Sequence, residues 1–227
     1  MSAVDPLRAQ QFLERPFALD IAFDLAATFL FAVTGSLIAR KKRYDAVGAI
    51  VLAFVTGLGG ALLRDALFLR EGPPAVITDG RYLGAVLAGA AATFFFSKHL
   101  QRLRLVFMLA DALALGTYAM VGEQKALAAG LPVLTALLVA VVNAVGGGVL
   151  RDVLVREEPL IFKPGEFYAL AALAGAVAFL GLARGLHLPP TLAALVGIAV
   201  AFAARMLSVR LGWRTGALWD EEGRSGP

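Results

Sequence analysis

The sequence predicts an all-α polytopic membrane protein: seven transmembrane helices, arranged as two inverted three-helix repeats plus a C-terminal helix. Three observations carry that prediction. Of the 227 residues, 59% are hydrophobic and only 17% charged, with a mean hydropathy of +0.76; a soluble domain carries about a quarter charged residues. The apolar residues gather into seven runs long enough, or nearly so, to cross a hydrocarbon core of ~30 Å. The chain also repeats itself at a fixed offset of 87 residues.

The runs are 17–39, 46–63, 82–97, 105–122, 126–150, 167–183 and 188–204. Each far exceeds a barrel strand and lacks period-two alternation, so each is read as a helix. Segment 1–16 is polar, with Asp5, Arg8, Glu14 and Arg15 and no apolar signal-like run, so the first span is expected to be retained. The division that follows is a polar N-terminal segment 1–16, a first repeat 17–100, a second, inverted repeat 101–187, a seventh helix 188–211 and a polar tail 212–227.

Orientation follows from the basic residues. With seven spans the N-terminus shares a side with Arg8, Arg15, Arg64, Arg70, Arg81, Lys125 and Arg184, seven of the 21 Lys and Arg. The other side holds the rest, including the run Arg40–Lys41–Lys42–Arg43 and the set Lys98, Arg102 and Arg104. The positive-inside rule puts the N-terminus outside and the C-terminus in the cytoplasm of a cell that keeps the protein in its inner membrane. The net charge of +4 and pI near 9.7 therefore point to anionic headgroups rather than nucleic acid.

The repeat aligns residues that apolar composition alone does not align. Asp24 matches Asp111 and Gly35 matches Gly122, while Gly59, Gly60, Leu63, Arg64 and Asp65 match Gly146, Gly147, Leu150, Arg151 and Asp152. After one deleted residue the offset becomes 86, pairing Pro73, Tyr82 and Gly89 with Pro159, Tyr168 and Gly175. Three helices per copy is an odd number, so the second copy enters the membrane from the opposite face. Transporters use that arrangement to hold a solute between the repeats.

The repeated element reads GLGGALLRD at 57–65 and AVGGGVLRD at 144–152. Clustered glycines weaken a helix by about 1 kcal/mol each relative to Ala. They allow either a break that lines a water-filled cavity or close packing through small residues; the break is the favoured reading. Arg64–Asp65 and Arg151–Asp152 follow the glycines. A charge inside a bilayer needs a partner or water, and Asp24 and Asp111 are the expected partners of Arg64 and Arg151. Headgroup snorkelling of both arginines is the alternative. Thr56 and Asn143, also a matched pair, can offer oxygens to a passing ion or bond across helices. Gly84, Ala88 and Ala92, and likewise Ala171 and Gly175, read as helix-packing faces.

There is no cysteine, no nucleophile–base pair, no metal-ligand cluster and no phosphate loop. His99 and His187 are isolated near helix ends. The reading is of a non-enzyme with no cofactor, no bound metal and no nucleic-acid partner.

The segment FAVTGSLIARKKRYDAVGAIVLAFVTGLGGALLRDALF and its second copy NAVGGGVLRDVLVREEP resemble the prokaryotic branch of the trimeric intracellular cation channel family, over roughly residues 22–207. Similar bacterial sequences also resemble proteins described as glycine transporters. The resemblance implies a homotrimer with one pore per protomer, lined by the second and fifth helices and permeable to potassium and sodium. It places hinge glycines at Gly57, Gly59, Gly60, Gly146, Gly147 and Gly148, with Arg64, Arg151, Asp65 and Asp152 beside the path. Ala61 stands where the second copy has Gly148. Two functions remain in view: a monovalent cation channel gated at the glycines, and a secondary transporter of a small zwitterion such as glycine. A structural role without a pathway leaves the matched charges unexplained. Replacing Gly147 with Leu is expected to impair flux more than assembly.

Overall fold

A computed structural model describes residues 19, 21–69, 72–95, 103–163 and 167–213. The segment 1–16, His99, Lys98, Arg102, Arg70 and the tail beyond residue 213 lie outside the described residues. Seven long helices follow in chain order: α1 Ile21–Lys41, α2 Ala46–Arg64, α3 Gly80–Phe95, α4 Leu103–Ala128, α5 Val133–Leu154, α6 Tyr168–Leu180 and α7 Pro190–Leu211. α2 runs on into a π-helical turn, Asp65–Leu69, and α6 into another, Gly181–Gly185; a single helical turn, Ala75–Thr78, precedes α3. Six of these stretches are long and apolar enough to cross a membrane. α3, at 16 residues, falls just short of the ~20 that a full crossing uses.

Local chemistry explains most of the boundaries. Asp45 caps α2, its side chain accepting from the Gly48 N–H at 2.8 Å. α7 opens on Pro189–Pro190, which suits a first turn with no N–H to satisfy. It closes on Gly212, whose φ of 60° and N–H to the Ser208 carbonyl make a left-handed cap. The α1–α2 and α4–α5 turns repeat each other: Arg43 (φ 60°) and its counterpart Gly130 (φ 76°) both take the left-handed conformation.

One pair of boundaries departs from the sequence reading. α4 does not stop at Gly122 but continues to Ala128, and α5 begins at Val133 rather than Ala126. Glu123, Gln124 and Lys125 read as a polar loop, yet they are good helix formers with no breaker among them. The break comes only at Gly130 and Pro132. As a result Lys125 belongs to a helix, and Glu123 and Gln124 are buried.

The helices pack as two bundles, α1–α2–α3 and α4–α5–α6, joined where α2 meets α5 and α1 meets α4. Phe31 and Tyr118, equivalent positions of the two repeats, pack with their rings tilted by 46° and centroids 5.4 Å apart. The interior is dominated by small side chains such as Ala27, Ala32, Ala114, Ala144, Ala172 and Ala176. Small residues let backbones approach closely where no hydrophobic effect drives helices together. Large apolar side chains, among them Val51, Leu87, Phe94, Leu138 and Val177, face outward, as a lipid solvent permits.

α7 breaks the symmetry. In the first bundle Gly89 of α3 presses against the Phe29 carbonyl and Ala32 of α1. Its counterpart on α6, Gly175, presses instead against the Gly197 carbonyl and Ala201 of α7, which also receive Gly116 and Met120 of α4. α7 thus lies along the seam between α4 and α6. Of the two small-residue stripes, Ala171 and Gly175 pack inside the protomer, whereas Gly84 and Ala88 point outward.

Candidate functional site

The matched glycines lie where α2 crosses α5, and their environments are reciprocal. A Cβ added at Gly60 would run into the Asn143 carbonyl, and one at Gly147 into the Thr56 carbonyl. A Cβ at Gly59 would meet the Leu150 side chain at 2.7 Å, and one at Gly146 the Leu63 side chain at 2.9 Å. Gly35 and Gly122 follow the same rule, set against Thr56 and Asn143 respectively. Each contact maps onto its partner by the 87-residue offset, as a two-fold axis between the repeats demands.

This corrects the favoured sequence reading of the glycines. Neither stretch is unwound: α2 is α-helical through Gly57, Gly59 and Gly60, and α5 through Gly146, Gly147 and Gly148. The missing Cβ atoms serve close backbone approach, the alternative the composition also allowed. Irregularity appears later, at the π-helical turn that begins on Asp65; α5 stays α-helical past the equivalent Asp152. Only one of the two copies carries this wider turn, a form frequent at functional positions.

A polar cluster sits at the end of the bundle where α1 begins and α2 and α4 end. Asp24, 2% exposed, accepts at Oδ2 from Lys125 Nζ at 2.7 Å and from the Tyr82 hydroxyl at 2.8 Å. Arg64, wholly buried, donates through Nε to Asp65 at 2.6 Å and through Nη1 to Asn143 Oδ1 at 3.4 Å. Asn143 donates onward to the Tyr118 carbonyl at 2.6 Å. The Tyr118 hydroxyl donates to the Gly57 carbonyl at 2.6 Å and lies 2.7 Å from Thr28 Oγ1. Two atoms of this cluster are buried without a hydrogen-bond partner among the described residues: Asp24 Oδ1 and Arg64 Nη2.

The second cluster, at the opposite end, uses the matched residues differently. Arg151, 1% exposed, donates through Nε to Asp152 at 2.8 Å and through Nη1 to both Asp111 and Thr34 at 3.2 Å. Its guanidinium also lies 5.0 Å from the centre of the Phe107 ring. The Tyr168 hydroxyl, counterpart of Tyr82, is buried here without a hydrogen-bond partner among the described residues.

The expected Arg151–Asp111 pair is therefore formed. The expected Arg64–Asp24 pair is not formed as a direct contact: Lys125 bonds Asp24 and Arg64 bonds its neighbour Asp65, leaving Arg64 and Asp24 to interact only through space. Both arginines are buried rather than snorkelled. Thr56 turns its hydroxyl to the Leu52 carbonyl at 2.6 Å, so of the matched Thr56–Asn143 pair only Asn143 bonds across helices. Lys125, Tyr82, Tyr118, Thr28 and Thr34 were not singled out from the sequence as site residues. Tyr82 had a signal in its repeat partner Tyr168. Tyr118, Thr28 and Thr34 had none, since their counterparts are Phe31, Leu115 and Val121. Glu123 of α4 is also fully buried, with neither carboxylate oxygen hydrogen-bonded among the described residues.

Comparison with known proteins places this arrangement. A family model described as "Glycine transporter" matches residues 21–98 and 108–184, one segment in each repeat. The chain is 33% identical over 204 residues to the UPF0126 inner membrane protein YadS of Escherichia coli, covering 88% of this chain and 97% of that one. It is 36% identical over 154 residues to a UPF0126 membrane protein of Deinococcus radiodurans, covering 67% and 71%. Among solved structures, the trimeric intracellular cation channel orthologue from Rhodobacter sphaeroides superimposes with a TM-score of 0.79 at 36% identity, covering 85% of this chain and 97% of that one. The doubled bundle, the glycine crossing and these likenesses agree: the chain belongs to the membrane-protein family whose model is described as glycine transporter, and it has the fold of the trimeric intracellular cation channels.

Proposed function

We propose that the protein conducts monovalent cations, potassium among them, along a path through each protomer between the two polar clusters. The observation that carries this reading is the pair of buried Asp–Arg clusters at opposite ends of the α2–α5 crossing. Charge inside a membrane protein costs several kcal/mol unless it is paired or hydrated, and a scaffold does not need such clusters twice. The likeness to a trimeric cation channel at 36% identity supports the same function and a homotrimeric assembly in contact with membrane lipids. The inner-membrane relative supports an inner-membrane location; the distribution of Lys and Arg supports an N-terminus outside. The units of the path are the repeats 17–100 and 101–187. Gly59, Gly60, Gly146 and Gly147 set how closely α2 and α5 approach, while Gly57 faces Thr28 and Ala32 of α1 and Gly148 faces Tyr168 of α6, so gating works by changing that crossing and its flanks rather than by melting them. Arg64, Asp65, Arg151 and Asp152 supply the charge at its two ends.

Carboxylates beside the arginines offset the repulsion that fixed positive charge exerts on a cation. The test is a planar bilayer containing the purified protein under asymmetric KCl. Unitary currents reversing toward the potassium equilibrium potential are expected.

A second reading is favoured by one specific feature. Asp24 Oδ1 and Arg64 Nη2 are buried atoms of opposite charge, both without a hydrogen-bond partner among the described residues, in one cluster. An ammonium and a carboxylate of one small zwitterion match them, consistent with the description that the family model carries. Saturable, electrically silent uptake of glycine into liposomes, with no unitary current, would replace the channel with this carrier.

A further inference from the structure

The duplication makes one contact conspicuous. Each repeat places an acid on its first helix, Asp24 in the first turn of α1 and Asp111 further along α4, and an arginine near the end of its second. In the second repeat the arginine neutralises the acid of its own copy, Arg151 to Asp111 at 3.2 Å. In the first repeat Arg64 acts on Asp24 only through space, and the direct positive contact comes from Lys125 of the other repeat at 2.7 Å. The position equivalent to Lys125 is Ile38. The ammonium at Asp24 is thus an addition to the duplicated framework, not part of it.

We propose that Asp24 and Tyr82 form a binding site for a monovalent cation, and that the Lys125 ammonium is a tethered occupant with which a mobile cation competes. Three observations support the assignment. Asp24 holds its second oxygen, Oδ1, buried and unpartnered, so the carboxylate has unused coordinating capacity. The Lys125 side chain is 29% exposed while that of Asp24 is 3% exposed, so the ammonium reaches inward from a more open position and can withdraw to it. Arg64 directs its hydrogen bonds to Asp65 and Asn143, so the direct cation contact on Asp24 falls to Lys125 or to a small cation in its place. An ammonium and a potassium ion carry the same charge on a similar radius, and a single carboxylate discriminates weakly between them. Releasing Lys125 leaves a site that holds one ion at the mouth of the path.

The inference rests on the cation-path reading, but its test reads occupancy whether or not ions cross. Wild-type protein in detergent is treated with an amine-acylating ester, and modification is read peptide by peptide by mass spectrometry. Replacing N-methyl-D-glucamine chloride by KCl at constant ionic strength is expected to raise the rate at Lys125 roughly fivefold as potassium displaces it. The rate at Lys41, whose side chain is 69% exposed, stays fixed. Equal rates at Lys125 in the two salts overturn the proposal. So does release by glycine but not by potassium, which gives the site to a zwitterion's ammonium. In a second measurement, Lys125→Met is expected to gain a potassium-dependent rise in thermal midpoint that Lys125→Met/Asp24→Asn lacks; an equal rise in both overturns it. Potassium currents in bilayers with no change in labelling sink the site and leave the channel standing. Labelling that responds without any current does the reverse.

Discussion

Arg64 and Arg151 occupy equivalent positions, yet removing them should have unequal consequences. Arg151 is the cation for Asp111 as well as Asp152, and a buried ion pair broken on one side typically costs about 3–5 kcal/mol. Arg151→Gln is expected to fall in that range, measured by thermal or denaturant unfolding in detergent, with Arg151→Gln/Asp111→Asn recovering part of the loss. Arg64→Gln should cost less, because Asp24 keeps Lys125 and Tyr82. Equal losses would mean that Arg64 neutralises Asp24 after all. This asymmetry was only half legible. The repeat named Asp24, Asp111, Arg64 and Arg151 together, since a duplicated charge in an apolar helix needs a reason. It could not reveal that Lys125 displaces Arg64, because Lys125 has no counterpart and lies in a polar triplet that looks like a loop. Its reach to Asp24, 101 residues away in sequence, is a tertiary fact.

At the scale of elements, the glycine rows show why one pattern admitted two structures. A break and a tight crossing both require the absence of Cβ, and only the facing helix distinguishes them. Here the facing atoms are carbonyl oxygens, Asn143 against Gly60 and Thr56 against Gly147, which cannot give way as a side-chain tip can. Gly60→Ala and Gly147→Ala are therefore each expected to destabilise by about 2 kcal/mol or more through overpacking. The double variant should cost less than the sum, because one separation of α2 from α5 relieves both. This reverses the sequence-based expectation for Gly147: substitution should harm assembly at least as much as flux, seen as lost folded protein before lost current. At the rim, Glu157 beyond α5 accepts from Lys42 of the α1–α2 turn at 2.8 Å, and this contact holds its carboxyl below the usual range. A lowered value means that the stabilisation is present at neutral pH and disappears as pH falls from about 4.5 through the folded value. Glu157 is a third exposed, so the effect is small, about 0.5 kcal/mol. Glu157→Gln should lower stability at pH 7 by that amount and remove that part of the acid sensitivity.

For the whole molecule the inverted duplication was the most legible property, since an odd number of helices per copy leaves no other way to thread the chain. What escaped was the role of α7, which has no repeat partner and whose Gly197 and Ala201 acquire meaning only when Gly116 and Gly175 close on them. Inversion has a consequence that can be measured without reference to conduction. Lys41 ends α1 and Arg81 begins α3, with side chains 69% and 61% exposed, so they present themselves at opposite faces of the membrane. The chain has no cysteine, so a single introduced thiol is labelled without background. Lys41→Cys should react with an impermeant maleimide only in inside-out vesicles, and Arg81→Cys only in right-side-out vesicles. The reverse result would keep the fold and invert its orientation, because the basic run at Arg40–Arg43 would then lie outside, against the charge rule. Reaction of both thiols from the same face would be more damaging: α2 could not then cross the membrane, and the two-fold relation that makes the Gly60 and Gly147 contacts equivalent would lose its axis in the membrane plane.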